Sequence, residues 1–353
     1  MNIRTCLSSL ALVLVLSSLS LAADPPAKAP SDGPAKAPAA AKPSPDWAKT
    51  DLKAGIIGCD TSHVPAFAGV FGSNPQWRLR VTAAFPGGSP DMPQASMGRV
   101  EGYVKTLRQK HQVKIVDSIE DLLKEVDVVL IESVDGRPHL AQARPVIAAG
   151  KPLFIDKPFT AGLADAKEIV RLAGQARVPF FSCSCVRFQP EIARFRQDAD
   201  VGKPDVGKLT KAVCSSPLHL EPHHPDLFWY GVHGVEALYT VMGRGCVSLK
   251  RGVEGDADIT TGAWSDGRVG VFRGMIKGSY LPLVKVEGDK GQADSGKTGY
   301  SYVGLCETMA KFFHTRQSPI DPQETLEIIE FMTAAQLSKE RGGAEVRLDE
   351  LRR

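Results

Sequence analysis

Residues 150–160 constrain the fold of this chain more than any other stretch. They read Gly-Lys-Pro-Leu-Phe-Ile-Asp-Lys-Pro-Phe-Thr, and the apolar run 152–155 is typical of a strand buried on both faces of a parallel sheet. The run ends at Asp156 and Lys157, which places a carboxylate and an ammonium at the carboxyl end of the strand. Most lysines simply lie on the surface, but open α/β sheets bind their ligands at this edge. The two residues are therefore candidates for a functional site.

Strand patterns alternate with helix patterns on both sides of this stretch. The predicted strands are residues 53–59, 77–85, 113–116, 128–131, 152–155 and 178–188. Helix-like segments separate them, and Ser118 with Asp121 is a typical start for one of these helices. The alternation predicts an α/β fold with a doubly wound parallel sheet of Rossmann type over residues 51–187.

The second half of the chain has a different pattern. A predicted strand at 209–219 is followed by a His- and Pro-rich turn and by a helix from about Tyr230 to Met242. Asp266-Gly267 lies between two further strand patterns and indicates a hairpin. Asp321 is placed to cap the last of two closing helices. We predict a C-terminal α+β domain over residues 188–353 with an open, largely antiparallel sheet.

The first 50 residues are not expected to belong to the fold. Arg4, the apolar run 10–16 and the small residues around Ala22 predict a Sec-type signal peptide over residues 1–22. Residues 23–50 are rich in Pro, Ala and Lys and predict an extended linker. The mature chain is expected to be exported to the periplasm or the extracellular space. Without its signal peptide it is expected to have no stable membrane insertion.

The net charge and the cysteine content exclude few classes of function. A formal charge of +3 over 353 residues is near neutral, and no stripe of Lys and Arg alternates with aromatic residues. Nucleic acid is therefore not an expected partner. Export would permit disulfides, but the scattered cysteines do not require any.

The turn after the first strand is the predicted place for a dinucleotide. Residues 58–63 stand where a G-x-G-x-x-G motif would lie, and only its first glycine, Gly58, is present. Asp60 would repel phosphates unless its side chain turned away to cap the following helix. The second strand ends in Phe85 and Pro86, with no acidic residue to hold a ribose. An ordinary capped turn without a ligand is the alternative interpretation.

Three motifs resemble the Gfo/Idh/MocA oxidoreductases. They are the glycine turn at Gly55 to Cys59, His139 at the start of the fourth crossover, and Ala149 to Pro158, whose Asp-Lys-Pro is similar to the family's Glu-Lys-Pro. The resemblance spans about residues 52–350. It implies a Rossmann domain followed by a domain with an open sheet, NAD or NADP as cofactor, and a sugar or polyol as substrate. It also implies a homo-oligomer that associates through the C-terminal sheet.

The resemblance assigns roles to single residues. Lys157 takes the place of the family lysine near the hydride-transfer point, and His233, with Glu236 after it, takes the place of the catalytic histidine. An imidazole suits removal of the hydroxyl proton, an ammonium suits the developing alkoxide, and Glu236 is expected to orient the imidazole. The predicted cofactor-binding residues are Gly58, Cys59, Asp60, Thr61, Ser62, His63, Pro86, Gly87, Asp135 and His139.

A second polar cluster precedes His233. His219, Glu221 and His223 could ligate a divalent metal, although Pro222 and Pro225 make the stretch an irregular loop. We expect no metal here and interpret the cluster as the polar wall of a sugar pocket. The alternative function is a non-redox protein on the same scaffold, either a carbohydrate-binding protein or a metal-assisted lyase or hydrolase.

Overall fold

The computed structural model describes residues 43–196, 205–276, 283–296, 299 and 301–352. The predicted signal peptide and the predicted linker up to residue 42 lie outside the described residues. The rest of that linker packs on the folded part, because Ala48 is buried and the Trp47 ring lies 5.6 Å from the His314 ring. None of the helices in these ranges combines the length and the apolar character that a membrane crossing requires.

The first sheet has the strand order of a Rossmann fold. It contains six strands in the order β3-β2-β1-β4-β5-β6, and every pair is parallel. The strands are β1 (Leu52–Ile57), β2 (Leu79–Phe85), β3 (Lys114–Ile115), β4 (Val128–Ile131), β5 (Leu153–Ile155) and β6 (Phe180–Ser182). The predicted parallel sheet is confirmed. The predicted sixth strand is too long, because residues 185–188 form a 3₁₀ turn beyond the sheet edge.

Helices connect these strands. They are α1 (His63–Ser73), α2 (Gly98–His111), α3 (Ile119–Glu125), α4 (His139–Ala148) and α5 (Leu163–Ala176). Ser118 caps α3, since its hydroxyl accepts from the Asp121 amide at 3.0 Å as the sequence predicts.

The second sheet has seven strands in the order β12-β11-β7-β10-β9-β8-β13. These are β7 (Leu209–Pro217), β8 (Cys246–Glu254), β9 (Ala257–Trp264), β10 (Val269–Met275), β11 (Leu283–Gly288), β12 (Gln292–Asp294) and β13 (Val346–Arg347). The β7–β10 pair is parallel and the other pairs are antiparallel. The largely antiparallel sheet is therefore confirmed, and Gly267 at φ +88° forms the predicted β9–β10 hairpin turn.

The helices of the second half serve both sheets. They are α6 (Pro190–Ala193), α7 (Val232–Met242), α8 (Val303–Thr315) and α9 (Pro322–Glu340). α7 and α9 contact the second sheet, whereas Leu305 and Cys306 of α8 lie in one buried cluster with Ile56 of β1. The first core therefore includes a helix from beyond residue 188. All six cysteines in the described ranges are buried free thiols.

Candidate active site

The carboxyl edge of the first sheet brings three predicted site residues near one another. Asp156 and Lys157 follow β5, and His63 begins α1 directly after the β1 turn. His63 Nδ1 lies 2.5 Å from Asp156 Oδ2, and both side chains are buried. His233 reaches the same edge from α7, because its Nδ1 lies 2.7 Å from the hydroxyl of Ser184, two residues beyond β6. His63, predicted as a cofactor ligand, is instead half of a buried carboxylate–imidazole pair.

Lys157 is a buried cation without a hydrogen-bond acceptor in the described part of the chain. The residue is 6% exposed, and its ammonium makes no hydrogen bond or ion pair with a described side chain or carbonyl. Burial alone would raise the pKa of Asp156, but the charge and hydrogen bond of His63 and the charge of Lys157 hold that pKa below its usual value. The ammonium therefore faces an ionised carboxylate and keeps its donors for a ligand.

His233 is held as a neutral base. Its Nδ1 lies 2.7 Å from the Ser184 hydroxyl. Burial first, then the charges of Lys157 and His63, lower the pKa of His233 well below its ordinary value. Near neutral pH the imidazole therefore has a lone pair with which to accept a proton.

Glu236 does not orient the imidazole, contrary to the prediction. Its carboxylate accepts from Arg187, whose guanidinium also lies 2.6 Å from Glu324. Burial raises the pKa of Glu236, and the Arg187 charge offsets part of that rise. Ser184 orients His233 instead. Sequence reasoning missed Ser184, although its position two residues beyond β6 puts it at the ligand-binding edge.

Removing the Arg187 cation should destabilise the fold strongly. Arg187→Met would leave Glu236 and Glu324 without their cation in a buried setting, so we expect a loss of about 3–5 kcal/mol in the free energy of unfolding. Urea denaturation measures this loss. Arg171→Met is the matched control, because Arg171 pairs with Glu168 at the surface and should cost only about 0–1 kcal/mol. Equal losses in the two variants would contradict a structural role for the buried pair.

The turn after β1 keeps the backbone of a dinucleotide turn. Gly58 has φ +88°, and an added Cβ would lie 2.5 Å from the Ser133 amide nitrogen, so only glycine fits. Asp60 turns away from α1, as phosphate binding would require. It does not cap the helix, because its carboxylate accepts from the Ser96 hydroxyl at 2.5 Å and the Val134 amide at 2.9 Å.

The amino end of α1 fits an anion. The Ser62 side chain does not cap the helix, although the His63 amide donates to the Thr61 hydroxyl at 3.5 Å, and Ser62 is the partly exposed residue of the turn. The pyrophosphate of a dinucleotide matches this arrangement. Cys59 and Thr61 are buried and their side chains already have partners, since the Cys59 thiol donates to the Phe85 carbonyl and the Thr61 hydroxyl accepts from the His63 amide. Pro86 and Gly87 lie against the turn, with the Cys59 amide donating to the Pro86 carbonyl at 2.6 Å.

The carboxyl groups along this edge fall into two sets. Burial raises the pKa of Asp60. Burial also raises the pKa of Glu132 well above its usual value, and the charges of Asp156 and Asp60 add to that rise. Asp135 is the opposite case, because hydrogen bonds from His224, Arg137 and Ser89 outweigh burial and lower its pKa strongly. Carboxyl groups with a raised pKa and with a lowered pKa thus lie along the same edge, as in sites that move protons.

Two predicted cofactor residues serve to join structural elements. His139 is fully buried, with its ring nitrogens 3.0 Å from the Phe159 carbonyl and 2.9 Å from the Ser133 carbonyl. Asp135 Oδ1 lies 3.1 Å from His224 Nε2, and the other ring nitrogen of His224 lies 3.0 Å from Glu221. Asp135 therefore attaches the loop of residues 219–226 to the carboxyl edge of the first sheet.

The loop of residues 219–226 packs against the carboxyl edge of the first sheet through His224. The Glu221 carboxylate accepts from His223 and lies against His224, and the His219 ring meets Tyr230 edge-on at 4.8 Å. Tyr230 in turn contacts the His233 ring at 5.2 Å. Throughout the described ranges no three His, Cys, Asp or Glu residues are arranged to hold a metal ion.

Comparison with known proteins identifies the class of scaffold. A family model described as "Oxidoreductase family, NAD-binding Rossmann fold" matches residues 52–182. The predicted resemblance is thereby confirmed, and these residues match the NAD-binding Rossmann domain of the Gfo/Idh/MocA family. The predicted cofactor class is confirmed at the level of this NAD-binding family. A comparison with curated proteins found no match.

Solved structures share the whole architecture at low identity. A probable dehydrogenase from Thermotoga maritima is 17% identical with a TM-score of 0.70, covering 85% of this chain and 99% of its own. A scyllo-inositol dehydrogenase from Lactobacillus casei, solved with NAD(H) and scyllo-inositol, is 14% identical with a TM-score of 0.68 and the same two coverages, 85% and 99%. An Agrobacterium radiobacter oxidoreductase in complex with NAD+, L-tartaric acid and magnesium is 15% identical with a TM-score of 0.67, again covering 85% and 99%. At these identities the likeness shows the fold.

Proposed function

We propose that this chain is an NAD(P)-dependent oxidoreductase that interconverts a secondary alcohol of a sugar or polyol and the corresponding ketone. One observation carries the proposal. The buried Lys157 ammonium donates to no acceptor among the described residues. It lies near the His63–Asp156 pair and the neutral His233 imidazole. A base and a cation at one point are what the removal of a hydroxyl proton needs.

Each residue then has a part in the reaction. His233 accepts the hydroxyl proton, and Ser184 holds the ring in position. Lys157 donates to the substrate oxygen and stabilises the negative charge that develops on it. The first turn of α1 with Ser62 would hold the cofactor's pyrophosphate. When bound, a nicotinamide cofactor would supply the hydride acceptor for this chemistry. The His63–Asp156 pair keeps an ionised carboxylate beside Lys157.

The cleft wall supports a polyhydroxylated substrate. His219, Glu221 and Tyr230 offer polar groups and an aromatic face, a combination that suits hydroxyl groups on one side of a ring and C–H groups on the other. The Lactobacillus casei relative was crystallised with scyllo-inositol, which agrees with this class of substrate.

A turnover assay tests the proposed activity. Purified protein would be incubated with inositols and monosaccharides together with NAD+ or NADP+, and the absorbance of the reduced nicotinamide would be followed. We expect at least one polyol to give nucleotide-dependent turnover that His233→Asn lowers. Consumption of a sugar without any nucleotide would refute the oxidoreductase proposal.

A non-redox function is the second candidate, and the packing around Gly58 favours it. Pro86 and Gly87 lie directly on the turn, and an added Cβ on Gly87 would be 3.2 Å from the Gly58 Cα. Ser96 donates to Asp60 from the same loop. A nucleotide bound at the Gly58 turn would have to approach beside this loop. A carbohydrate-binding protein or a lyase needs no nucleotide there, so the loop would stay in place.

Export and self-association belong to the same proposal. The mature chain would begin at Ala23, which N-terminal sequencing of protein from the periplasm or the medium would test. Retention of residues 1–22 in a cytoplasmic product would refute export. The open face of the second sheet would form a homo-oligomer, and a monomeric mass in solution would refute that part.

A further inference from the structure

A cavity lies apart from the residues of the candidate active site. It has a volume of about 650 Å³ and is formed by the end of α7, one face of α8, residues 317–321 and Arg268 of the β9–β10 hairpin. Its lining contains none of the cleft residues His63, Asp156, Lys157 and His233. A volume of this order suits a small molecule.

The lining carries more cations than carboxylates. Five basic residues line the cavity, with two acidic ones, Asp321 and Glu324; the basic residues are Arg187, Arg196, Arg244, Arg268 and Lys311. Several already have partners, because Arg187 binds Glu324, Arg244 binds Asp321 and Arg268 binds Asp266. The exposed Lys311 ammonium has no ion pair within the described ranges. The remaining excess of positive charge is small, which favours a ligand of low negative charge over a polyphosphate.

Two guanidinium groups at the cavity are incompletely satisfied. Arg187 Nη2 and Arg268 Nη1 are buried and have no hydrogen-bond partner among the described residues. Their side chains are only 9% and 10% exposed. A buried donor without an acceptor costs free energy, and the carboxylate of a ligand would recover it.

The rest of the lining suits a hydroxylated ring. Gln317 offers a side-chain amide, and the Thr315 and Ser318 hydroxyls, which donate to backbone carbonyls, can still accept from a ligand hydroxyl. Phe188 and Phe312 supply apolar surface. We propose that this cavity binds a small sugar acid, with its carboxylate at Arg268 and Lys311 and its hydroxyl groups along residues 315–318. Such a site lies apart from the proposed oxidoreductase cleft and does not depend on it.

Calorimetric titration with D-glucuronate tests the cavity, with D-glucose as the uncharged control. Wild type should bind glucuronate more tightly than glucose, and added salt should weaken that binding. Arg268→Gln should raise the Kd for glucuronate at least about tenfold, equivalent to 1.4 kcal/mol. Lys311→Gln should raise it less, and because Lys311 is exposed this variant remains informative if Arg268→Gln fails to fold.

Two controls separate this cavity from the cleft. Lys124→Gln, which removes an exposed lysine of α3, should leave the affinity unchanged. Lys157→Met should also leave it unchanged, whatever its effect on turnover. The proposal would be overturned by wild type that binds no glucuronate at millimolar concentration, by unchanged affinity in both cavity variants, or by binding that only Lys157→Met abolishes.

Discussion

Lys157→Met should lower kcat on a polyol substrate by about 10²–10³-fold, the usual cost of removing one donor to a developing oxyanion. Methionine keeps much of the length and volume of lysine, so the cleft should remain filled. The variant should also alter the pH profile. Because the Lys157 charge lowers the pKa of His233, its removal should raise that pKa and move the acid limb of the kcat/KM profile to higher pH.

The matched control is Lys124→Met, at an exposed lysine on α3. It should change neither kcat nor the pH profile. If Lys157→Met retained wild-type turnover, or if the acid limb moved to lower pH, the role given to the ammonium would be wrong.

Asp156→Asn should lower kcat by about 10²–10⁴-fold, within the range for a displaced proton-transfer group. The carboxylate lies 2.5 Å from His63 Nδ1 and beside Lys157, so the amide would remove the negative charge next to these two groups while keeping the volume. The folded-state pKa of Asp156 is lowered, so its stabilising effect is present above its unfolded pKa and is lost as pH falls through the folded value. The variant should therefore be less stable than wild type at neutral pH and approach it in acid.

Asp258→Asn controls for the loss of a buried ion pair away from the cleft. Asp258 binds Arg251 at 2.7 Å, and Arg251 is almost fully buried. We expect a loss of stability but wild-type kcat per folded molecule. Equal effects of the two substitutions on kcat would mean that Asp156 acts only by holding the fold together.

Local sequence patterns were sufficient to predict the framework. Apolar runs such as Val128–Ile131 are fully buried strands because a parallel sheet covered by helices on both faces excludes water from both sides. Ser118 and Asp321 cap helices as predicted, because a cap depends on residues two or three positions away. The position of Lys157 at the ligand-binding edge follows from the strand that precedes it.

Contacts between distant residues could not be predicted in this way. Asp60 binds Ser96, which is 36 residues away, and Glu236 binds Arg187, which is 49 residues away. The family spacing predicted that His233 and Glu236 lie on one helix. It did not predict their partners Ser184 and Arg187, because those contacts depend on how the turn after β6 packs on α7. Likewise, nothing local indicates that α8 completes the core of the first sheet.

Nicotinamide nucleotide binding tests the central claim most directly. Purified protein would be denatured to release any bound nucleotide, and refolded or nucleotide-free protein would be titrated calorimetrically with NAD+, NADH and NADP+. We expect one site per chain with a Kd of about 1 μM to 1 mM, the usual range for enzyme ligands, or tighter if nucleotide is carried through purification. Ser62→Asp, which puts a carboxylate at the amino end of α1, should weaken binding. Wild type that carries no nucleotide and binds none at millimolar concentration would contradict the account and favour the non-redox function.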